Sequence, residues 1–392
     1  MRLLPTEYAV RNLGRSALRL ALSVFGGFMV VLLVLGAGGF VRGMTGSLGA
    51  TGGARNAIVL GVGSEESLER SEIPASTASL LRASVPGLAE RMGVPLVSPE
   101  VHVQLPIAMG ASDRAGRLTL VRGVTPTALL VHSRTQIVEG RFPQSGHDEL
   151  LAGRLAHVKL GVAPGALAIG NRIMIEGREW TIVGRLAAPS SMIDGELWVP
   201  LADLKQLTKR ETDSCVVVTL DEGARAAELA DIQAFCRQRL DLEITAMAES
   251  TYYRRLSAFF APIRAVTWVT AGLIALGGVL GGLNTMYAAF ASRVRELGML
   301  QCLGFRRTAI VWSLVQESCL ATASGALIAC GVALAFLDGL AVQFSMGAFG
   351  LRIDSFVLLL GLGAGLVLGV LGALPPAIRC LRLPIPESLK SI

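Results

Sequence analysis

Four long apolar runs constrain this chain more than any other feature of its sequence. They cover residues 20–41, 265–291, 309–337 and 356–374. Each run meets the roughly 20 residues that a helix needs to cross about 30 Å of hydrocarbon. The last three runs contain almost no ionisable side chain, which argues against buried helices of a soluble protein. The sequence therefore predicts a membrane protein with four transmembrane α-helices.

The first run also has the appearance of a secretory signal, because Arg11, Arg15 and Arg19 precede it. Its 22 apolar residues exceed the roughly 7–15 residues that are usual for the apolar part of a signal peptide. No clear cleavage site between small residues ends the run. We interpret it as a retained membrane anchor.

The distribution of charge predicts the orientation of these helices. The segments before the first run, between the second and third, and after the fourth carry eleven basic and three acidic residues. The long segment 42–264 carries 24 of each kind. Because basic loops stay in the cytoplasm, we expect a multi-pass protein with both termini in the cytoplasm and the long segment outside it. The net charge of +6 follows from this rule and does not indicate a nucleic-acid partner.

The segment between the first two helices is long enough for a folded domain with its own core. Its β-type stretches alternate with stretches of helical periodicity, and its centre, about 115–200, is mostly of the β type. We therefore predict a large α+β extracytoplasmic domain. The predicted strands are 57–60, 117–122, 171–176, 179–184 and 215–220, and the predicted helices are 76–92, 201–208 and 224–240.

Two cysteines lie in this predicted domain. Cys215 begins a predicted strand and Cys236 lies near the end of the helix that follows. If that helix runs antiparallel to the strand, the two ends meet, and a disulfide is feasible in an oxidising compartment. Two small buried residues without a bond are the alternative. The other four cysteines lack CxxC spacing and indicate no redox or metal site.

Signatures of catalysis and of metal binding are absent from the sequence. The four histidines show no metal-ligand spacing such as HxxxH, so we predict no metal site. The chain contains no GxxxxGK[ST] loop, GxSxG elbow or HExxH motif. We therefore expect no catalytic residue and no cofactor on this chain, and any use of ATP would need another polypeptide.

Several segments together resemble the MacB/FtsX-type permeases of ABC transporters, a group that includes LolC/LolE. The strongest match is 293–304 (RVRELGMLQCLG), followed by Arg306, Arg307, Ile310 and Glu317. The end of the chain departs from the family pattern, because Cys380 replaces a small residue and Pro386 interrupts the run before Glu387. The other similar segments are 9–19 (AVRNLGRSALR), 138–142 (VEGRF), 150–156 (LLAGRLA), 169–175 (IGNRIMI), 181–184 (TIVG), 196–201 (ELWVPL), 375–384 (PPAIRCLRLP) and 387–389 (ESL).

The resemblance implies a permease of the bacterial cytoplasmic (inner) membrane with a MacB periplasmic core-like domain. Its first and second helices would continue outward from the membrane as a stalk. It implies a homodimer or heterodimer resting on cytoplasmic ABC ATPase subunits, which hold the ATP and Mg. Membrane lipid and a periplasmic adaptor or lipoprotein carrier are further expected partners. The implied function is mechanotransmission that exports or extracts a lipid, lipoprotein, peptide or drug-like substrate. The alternative is a non-transporting regulator of a periplasmic cell-wall hydrolase.

The runs, the charges and the resemblance together predict a division of the chain into nine segments. These are a cytoplasmic amphipathic segment 1–16, transmembrane helix 17–42, an extracytoplasmic domain with stalk 43–258, transmembrane helix 259–291, a cytoplasmic coupling helix 292–308, transmembrane helix 309–337, a short outer loop 338–355, transmembrane helix 356–376 and a cytoplasmic tail 377–392.

The segment 292–308 is the predicted contact with the ATPase. On a helix, Leu297, Leu300 and Gln301 share a face with Gly304. Arg293 and Arg295 flank that face. We predict that this face docks on the ATPase, that Glu296 contributes to it, and that Gly304 ends the helix. An ordinary basic loop is the alternative.

Other polar and small residues of the predicted helices suggest further roles. Glu317 is an acid within an apolar run, and we expect it to pair with Arg306 or with a basic residue of the N-terminal segment. Small residues let helices approach closely, so Gly277, Gly281, Gly365 and Gly369 are predicted helix-packing positions. Packing within one chain and packing between two copies explain these glycines equally well.

Overall fold

The computed structural model describes residues 17–110, 113, 116–221, 227–344 and 347–382. The chain forms two compact units. The first, here called the membrane unit, comprises Met1–Arg42, Pro262–Leu340 and Leu351–Ile392. The second, here called the outer unit, comprises Gly43–Ala261 and Ala341–Gly350. The predicted segment 1–16 and the tail beyond residue 382 lie outside the described residues.

In the described residues the helices are α1 (Ala17–Thr51), α2 (Thr77–Ser84), α3 (Ala128–Val131), α4 (Ala156–Leu160), α5 (Leu201–Thr208), α6 (Leu229–Gln238), α7 (Glu249–Phe259), α8 (Ala261–Ala291), α9 (Val294–Cys302), α10 (Arg307–Val332) and α11 (Ser355–Leu381). Short 3₁₀ turns occupy Pro164–Leu167, Met192–Gly195 and Leu240–Leu242, and a π-helical turn, Ala333–Leu337, continues α10.

The strands are β1 (Asn56–Gly61), β2 (Glu90–Arg91), β3 (Val94–Pro95), β4 (Val97–Ala108), β5 (Arg117–Val124), β6 (Gln136–Gly140), β7 (Glu149–Gly153), β8 (Arg172–Ile175), β9 (Arg178–Ala187), β10 (Leu197–Pro200), β11 (Cys215–Thr219), β12 (Ile244–Ala248), β13 (Ala341–Phe344) and β14 (Gly347–Gly350).

Four helices of the described chain are long and apolar enough to cross a membrane. The candidate spans are Leu20–Thr51, Ala261–Ala291, Arg307–Leu337 and Ser355–Leu381. An α+β domain lies between the first and second of them in the chain, which confirms the predicted fold class. Within the membrane unit, α10 and α11 pack antiparallel along their length, with Ile310 and Leu314 in the same hydrophobic cluster as Ala377 and Leu381.

A ten-stranded sheet organises the outer unit. Its order is β12-β1-β11-β4-β5-β10-β7-β9-β6, and β8 pairs with both β4 and β9. The long strand β4 belongs to both halves, because its first residues pair with β11 and its later residues pair with β5. Helices α2 and α6 pack on β1 and β11 and form one hydrophobic core with them. A second hydrophobic core lies on strands β5, β7, β9 and β10.

The structure corrects several predicted elements of the outer unit. Helix 76–92 ends at Ser84, since Pro86 and Gly87 do not continue it, and residues 90–91 form a strand instead. Strands β4, β6, β7, β10 and β12 are not among the predicted strands, although β6, β7 and β10 lie in the central region predicted to be mostly of the β type. The predicted short loop 338–355 contains the hairpin β13–β14, whose contacts assign it to the outer unit.

This hairpin is held to the outer unit by specific contacts. Lys159 donates a hydrogen bond from Nζ to the Phe344 carbonyl at 2.9 Å, and the Gln343 side chain donates to the Lys159 carbonyl at 2.9 Å. A Cβ on Gly195 would lie 2.7 Å from the Ala348 nitrogen, so glycine permits the close approach of the two backbones. The link between the third and fourth spans is therefore a docked structural element.

Candidate functional site

The predicted coupling segment contains helix α9, which packs one face against the rest of the membrane unit. Leu297 is 1% exposed and packs in a cluster with Ile310 of α10 and Ala377 of α11. Leu300 is half-buried against the same cluster. The two leucines that we predicted to contact an ATPase therefore pack α9 against the spans. The prediction that they form an exposed docking surface is wrong.

The opposite face of α9 is exposed. Met299 is 49% exposed and Leu303 is 68% exposed, and Arg295 lies one turn before Met299. These three positions follow helical spacing, so they form one surface, here called the docking face. The sequence contains two apolar stripes on this segment, and only the packing against α10 and α11 decides which of them is buried.

Gly304 ends α9 in a left-handed conformation with φ of +87°. Its N–H bonds to the Gln301 carbonyl at 3.0 Å, and the Phe305 N–H bonds to the Leu300 carbonyl at 3.2 Å. This pair of bonds is the Schellman arrangement that satisfies the last carbonyls of a helix. Gly304 thereby turns the chain from α9 toward α10.

An ion-paired cluster connects α9 to the third span. Arg293 contacts Glu317 at 3.2 Å through Nη1 and Glu296 at 3.2 Å through Nε. The Arg293 and Glu317 side chains are each 9% exposed. The structure thus pairs Glu317 with Arg293, not with the predicted Arg306, while the predicted N-terminal alternative lies outside the described residues. Arg293 is therefore buried in an internal ion pair and does not flank the docking surface, as we had predicted from the sequence that it would.

The predicted packing glycines divide into two classes. A Cβ on Gly365 would lie 2.8 Å from the Ala326 side chain, and a Cβ on Gly369 would lie 2.9 Å from Cys319 Cα, so these two allow α10 and α11 to approach. Nothing lies within 4 Å of a Cβ on Gly277 or Gly281. Among the described residues, these two glycines of α8 make no such internal contact.

A second group of functional interest is a buried cluster of charges in the outer unit. Strand register builds it, because the order β11-β4-β5-β10 sets Cys215 opposite Glu100, His102 opposite Arg122, and Arg122 opposite Trp198. The alternation of side chains along β4 then puts Glu100 and His102 on the same face. These residues are separated widely in the chain, so the sequence reading did not find them.

Arg122 lies at the centre of this cluster. It donates to both carboxylate oxygens of Glu196, at 2.8 and 2.7 Å, and to Glu100 at 3.0 Å. His132 Nε2 lies 2.8 Å from the other oxygen of Glu100, and the Trp198 indole donates to Glu196 at 2.9 Å. The charged groups of the cluster are therefore satisfied by one another while being almost completely buried.

The pKa values of the cluster follow from burial and from these contacts. Burial opposes ionisation of Glu100, but His132 and Arg122 lower its pKa well below the usual value. Burial also acts against a charged His132, yet Glu100 and Glu249 raise its pKa. His102 has a lowered pKa because of burial and the neighbouring Arg122. The pKa values of the two histidines are therefore shifted in opposite directions within the same cluster.

Three potential metal ligands meet in this cluster. The carboxylate of Glu100, the imidazole of His102 and the thiol of Cys215 lie within 4.8 Å of one another. The search for metal-ligand spacing in the sequence missed this group. Arg122 Nη1 contacts the same oxygen of Glu100 as His102 does, so a cation would face a guanidinium. The geometry fits a satisfied ion cluster better than a metal site.

The same arrangement explains why Cys215 and Cys236 are not bonded. Both thiols are free and buried. Cys236 packs in the core with Val216 and Val218, whereas Cys215, the neighbour of Val216 on the strand, contacts His102 at 3.9 Å. Successive residues of a strand face opposite sides of the sheet, so Cys215 points away from the core that contains Cys236. The disulfide that the sequence suggested as feasible is therefore not formed. Burial raises the pKa of Cys236 to about 11.

Glu249 extends the charge cluster to the ends of two helices. It accepts hydrogen bonds from the Gly53 backbone at 2.7 Å and from the Asn56 side chain at 2.9 Å. A Cβ on Gly52 would lie 3.0 Å from Ser250 Cα. The chain just after α1 therefore touches the start of α7. We call Gly52, Gly53, Asn56 and Glu249 the stalk joint.

Comparison with known families covers most of the chain. The family described as "MacB-like periplasmic core domain" matches residues 20–234, and the family described as "FtsX-like permease C-terminal" matches residues 268–385. The first match alone spans more than half of the sequence.

Curated relatives and solved structures give distant similarities. The macrolide export ATP-binding/permease protein MacB of Shewanella oneidensis is 24% identical over 197 residues, covering 49% of this chain and 30% of the relative. The protein of the same description from Shewanella sp. strain ANA-3 is 24% identical over 230 residues, covering 57% and 35%. The chain thus spans about a third of the length of the curated relatives it matches.

Two solved structures are similar at low sequence identity. The periplasmic region of MacB from Actinobacillus actinomycetemcomitans has a TM-score of 0.39 at 11% identity, covering 53% of this chain and 94% of that one. The extracellular domain of the noncanonic ABC-type transporter YknZ from Gram-positive bacteria has a TM-score of 0.36 at 16% identity, covering 49% and 99%. On the two family matches, this chain belongs to the MacB/FtsX-type permeases of ABC transporters, which are multi-pass inner-membrane proteins with a periplasmic domain.

Proposed function

We propose that this chain is the permease subunit of an ABC exporter and that a separate ATPase drives it through the docking face of α9. The cytoplasmic ATPase holds the ATP and Mg, and this chain contributes no catalytic residue. Both termini and α9 lie in the cytoplasm. Movement of α9 passes to the spans and then to the outer unit, which extracts or expels a substrate.

The observation that carries the proposal is the two-sided character of α9. Its inner face is anchored by Leu297 and by the Arg293–Glu317 ion pair, so α9 moves together with the third and fourth spans. Its outer face presents Met299 and Leu303 beside the cationic Arg295. Exposed apolar side chains with an arginine are typical of the centre of a protein interface.

Substitution of Met299 and Leu303 by Asp tests the docking face. Because a hot-spot residue at an interface centre contributes about 2 kcal/mol or more, we expect Met299→Asp to weaken binding of the ATPase roughly 30-fold, measured by co-purification over a range of ATPase concentrations. Met92→Asp is the matched control, since Met92 is 96% exposed in the outer unit. ATPase retention that is the same for Met299→Asp, Leu303→Asp and Met92→Asp would refute this docking face. Leu297→Asp is not a suitable test, because burial of Leu297 makes it a folding variant.

The stalk joint supports the transmission step. Glu249 binds Gly53 and Asn56, so the chain after α1 and the start of α7 are held to each other within the outer unit. Helix α7 ends at Phe259 and α8 begins at Ala261, so the second span follows the joint directly in the chain. We expect Glu249→Ala to leave ATPase binding intact and to lower transport per ATP hydrolysed, whereas equal loss of both would contradict a transmission role.

A second permease copy is proposed to cover α8. Only Ala271, Met286, Ala289 and Phe290 of this helix are buried among the described residues. Gly277 and Gly281 leave an open surface that suits close approach of another helix. In a background without the native cysteines, Gly281→Cys should crosslink between copies. Gly363→Cys on α11, which is equally open, is the control and should remain uncrosslinked.

The substrate is proposed at the level of class. The curated relatives are named for macrolide export, and a lipid, lipoprotein, peptide or drug-like molecule is consistent with spans that carry few ionisable side chains. Handling in the membrane or outside it is therefore favoured over a hydrophilic tunnel. Mass spectrometry of molecules that co-purify with an ATP-trapped complex tests this class, and retention of only hydrophilic solutes would contradict it.

A further inference from the structure

A groove runs along the surface of the membrane unit between α10 and α11. Its volume is about 820 Å³, which lies within the range of small-molecule and cofactor sites. The walls are apolar and include Val311, Val315, Leu366, Val370 and Leu374. Neither helix α9 nor the stalk joint lines this groove.

One end of the groove is basic. Arg307 at the start of α10 and Arg382 just after α11 both line it, and both are exposed. The described residues that line the groove include no Asp or Glu. Trp312, 61% exposed, lies one turn into α10 from Arg307, where an amphipathic ring suits the boundary between hydrocarbon and headgroups. The groove therefore combines an apolar length with a positively charged, aromatic end.

We propose that this groove binds an anionic phospholipid, with its acyl chains along the apolar walls and its phosphate at Arg307 and Arg382. Basic pockets between transmembrane helices are suited to anionic headgroups. Helix α10 also begins at Arg307, so its positive end adds to the attraction of a phosphate. The site is distinct from the proposed transport step and does not depend on it.

Charge selects a lipid over the nearest alternative occupant, the N-terminal segment 1–16 of this chain. That segment carries Arg2, Arg11 and Arg15 against Glu7, so it is net basic. A basic segment would face two arginines of the same sign, whereas a phosphodiester neutralises them. The groove thus fits an anionic lipid better than it fits that segment.

Tryptophan quenching by brominated lipid tests the proposal, because Trp312 lines the groove. Trp180 and Trp198 are fully buried in the outer unit, so Trp268→Phe leaves Trp312 as the reporter in the spans. The full chain is reconstituted in phosphatidylcholine bilayers. Dibrominated phosphatidylglycerol or dibrominated phosphatidylcholine is then titrated in.

We expect dibrominated phosphatidylglycerol to half-quench Trp312 at a mole fraction up to about 30-fold lower than dibrominated phosphatidylcholine does. This factor corresponds to two arginines at about 1 kcal/mol each. Arg307→Gln with Arg382→Gln should abolish the preference. Arg306→Gln with Arg379→Gln, which removes the same charge from exposed residues that do not line the groove, should keep it.

Three further outcomes decide the proposal. Val370→Trp, introduced together with Trp312→Phe, fills the groove. The amount of phosphatidylglycerol that stays bound in native mass spectrometry should then fall. The proposal is overturned if Trp312 shows no headgroup preference, or if both arginine pairs affect it equally. It is also overturned if quenching of Trp312 by either lipid arises only after deletion of residues 1–16, because that segment would then be the occupant.

Discussion

The buried charge cluster gives the sharpest prediction about stability. Glu100→Gln keeps the shape of the side chain but removes the negative charge that contacts Arg122 at 3.0 Å and His132 at 2.8 Å. Glu196 still pairs with Arg122, whereas Glu249, at 3.9 Å, is the acidic partner left to His132 among the described residues. Removing one partner from a buried ion cluster costs about 3–5 kcal/mol because a buried charge is left uncompensated.

This free energy corresponds to a measurable fall in melting temperature. For a domain of about 150–250 residues, 1 kcal/mol shifts Tm by roughly 2–4 °C, so we expect a decrease of about 6–20 °C. The assay is thermal unfolding of the full chain in detergent, followed by tryptophan fluorescence, since the Trp198 indole donates to the cluster at 2.9 Å. Far-ultraviolet circular dichroism at low temperature verifies that the variant folds.

The control is the same substitution in an exposed ion pair of the same unit. Glu179 pairs with Arg172 at 2.8 Å, and their side chains are 55% and 63% exposed. Exposed pairs contribute about 0–1 kcal/mol, so Glu179→Gln should change Tm by no more than about 4 °C. Equal Tm values for Glu100→Gln and Glu179→Gln would refute the reasoning that burial makes the cluster costly to break.

Three other predictions address different parts of the molecule. Because the contacts of His132 raise its pKa, its contribution to stability is complete below the unfolded pKa of about 6.5 and is lost as pH rises through the folded pKa. The Tm of the parent should therefore fall more steeply than that of His132→Gln above pH 6.5; parallel pH profiles would contradict this. Glu317→Gln removes the carboxylate that pairs with Arg293, and we expect a loss of about 1.5–3 kcal/mol in detergent melts with weaker coupling to the ATPase; unchanged melting and coupling would argue against it. Gly195→Ala puts a Cβ 2.7 Å from the Ala348 nitrogen, so the hairpin β13–β14 should become more sensitive to proteolysis and the outer unit about 1–3 kcal/mol less stable; resistance equal to the parent would count against this packing.

The coupling segment illustrates how far sequence reasoning reaches. Helical periodicity and the glycine at 304 predicted a short helix that ends there, and the structure has α9 with a Schellman end at Gly304. Periodicity did not predict which of two apolar stripes faces inward. That choice depends on the complementary surfaces of α10 and α11, which no local pattern contains. Leu297, a predicted docking residue, is therefore buried, and Met299, to which no role was assigned, is exposed.

The buried cluster was beyond sequence reasoning for a related physical reason. Glu100, Arg122 and Glu196 are ordinary charged residues in separate segments, and charged residues are usually exposed. Strand register alone brings them together, through pairs such as His102 with Arg122. A charged residue at an inward position of a β-type stretch was the available signal, but β4 itself was overlooked.

The sequence by itself determined the features that depend on composition and local order. Uninterrupted apolar length specifies four spans because the hydrocarbon core has a set thickness, and the mixed strand and helix periodicities specify an α+β domain between the first two. Tertiary structure alone decided the burial of Leu297, the pairing of Glu317 with Arg293, and the separation of Cys215 from Cys236 on opposite faces of one sheet. These features depend on contacts between distant segments, whose energies are set by packing and strand register and not by neighbouring residues.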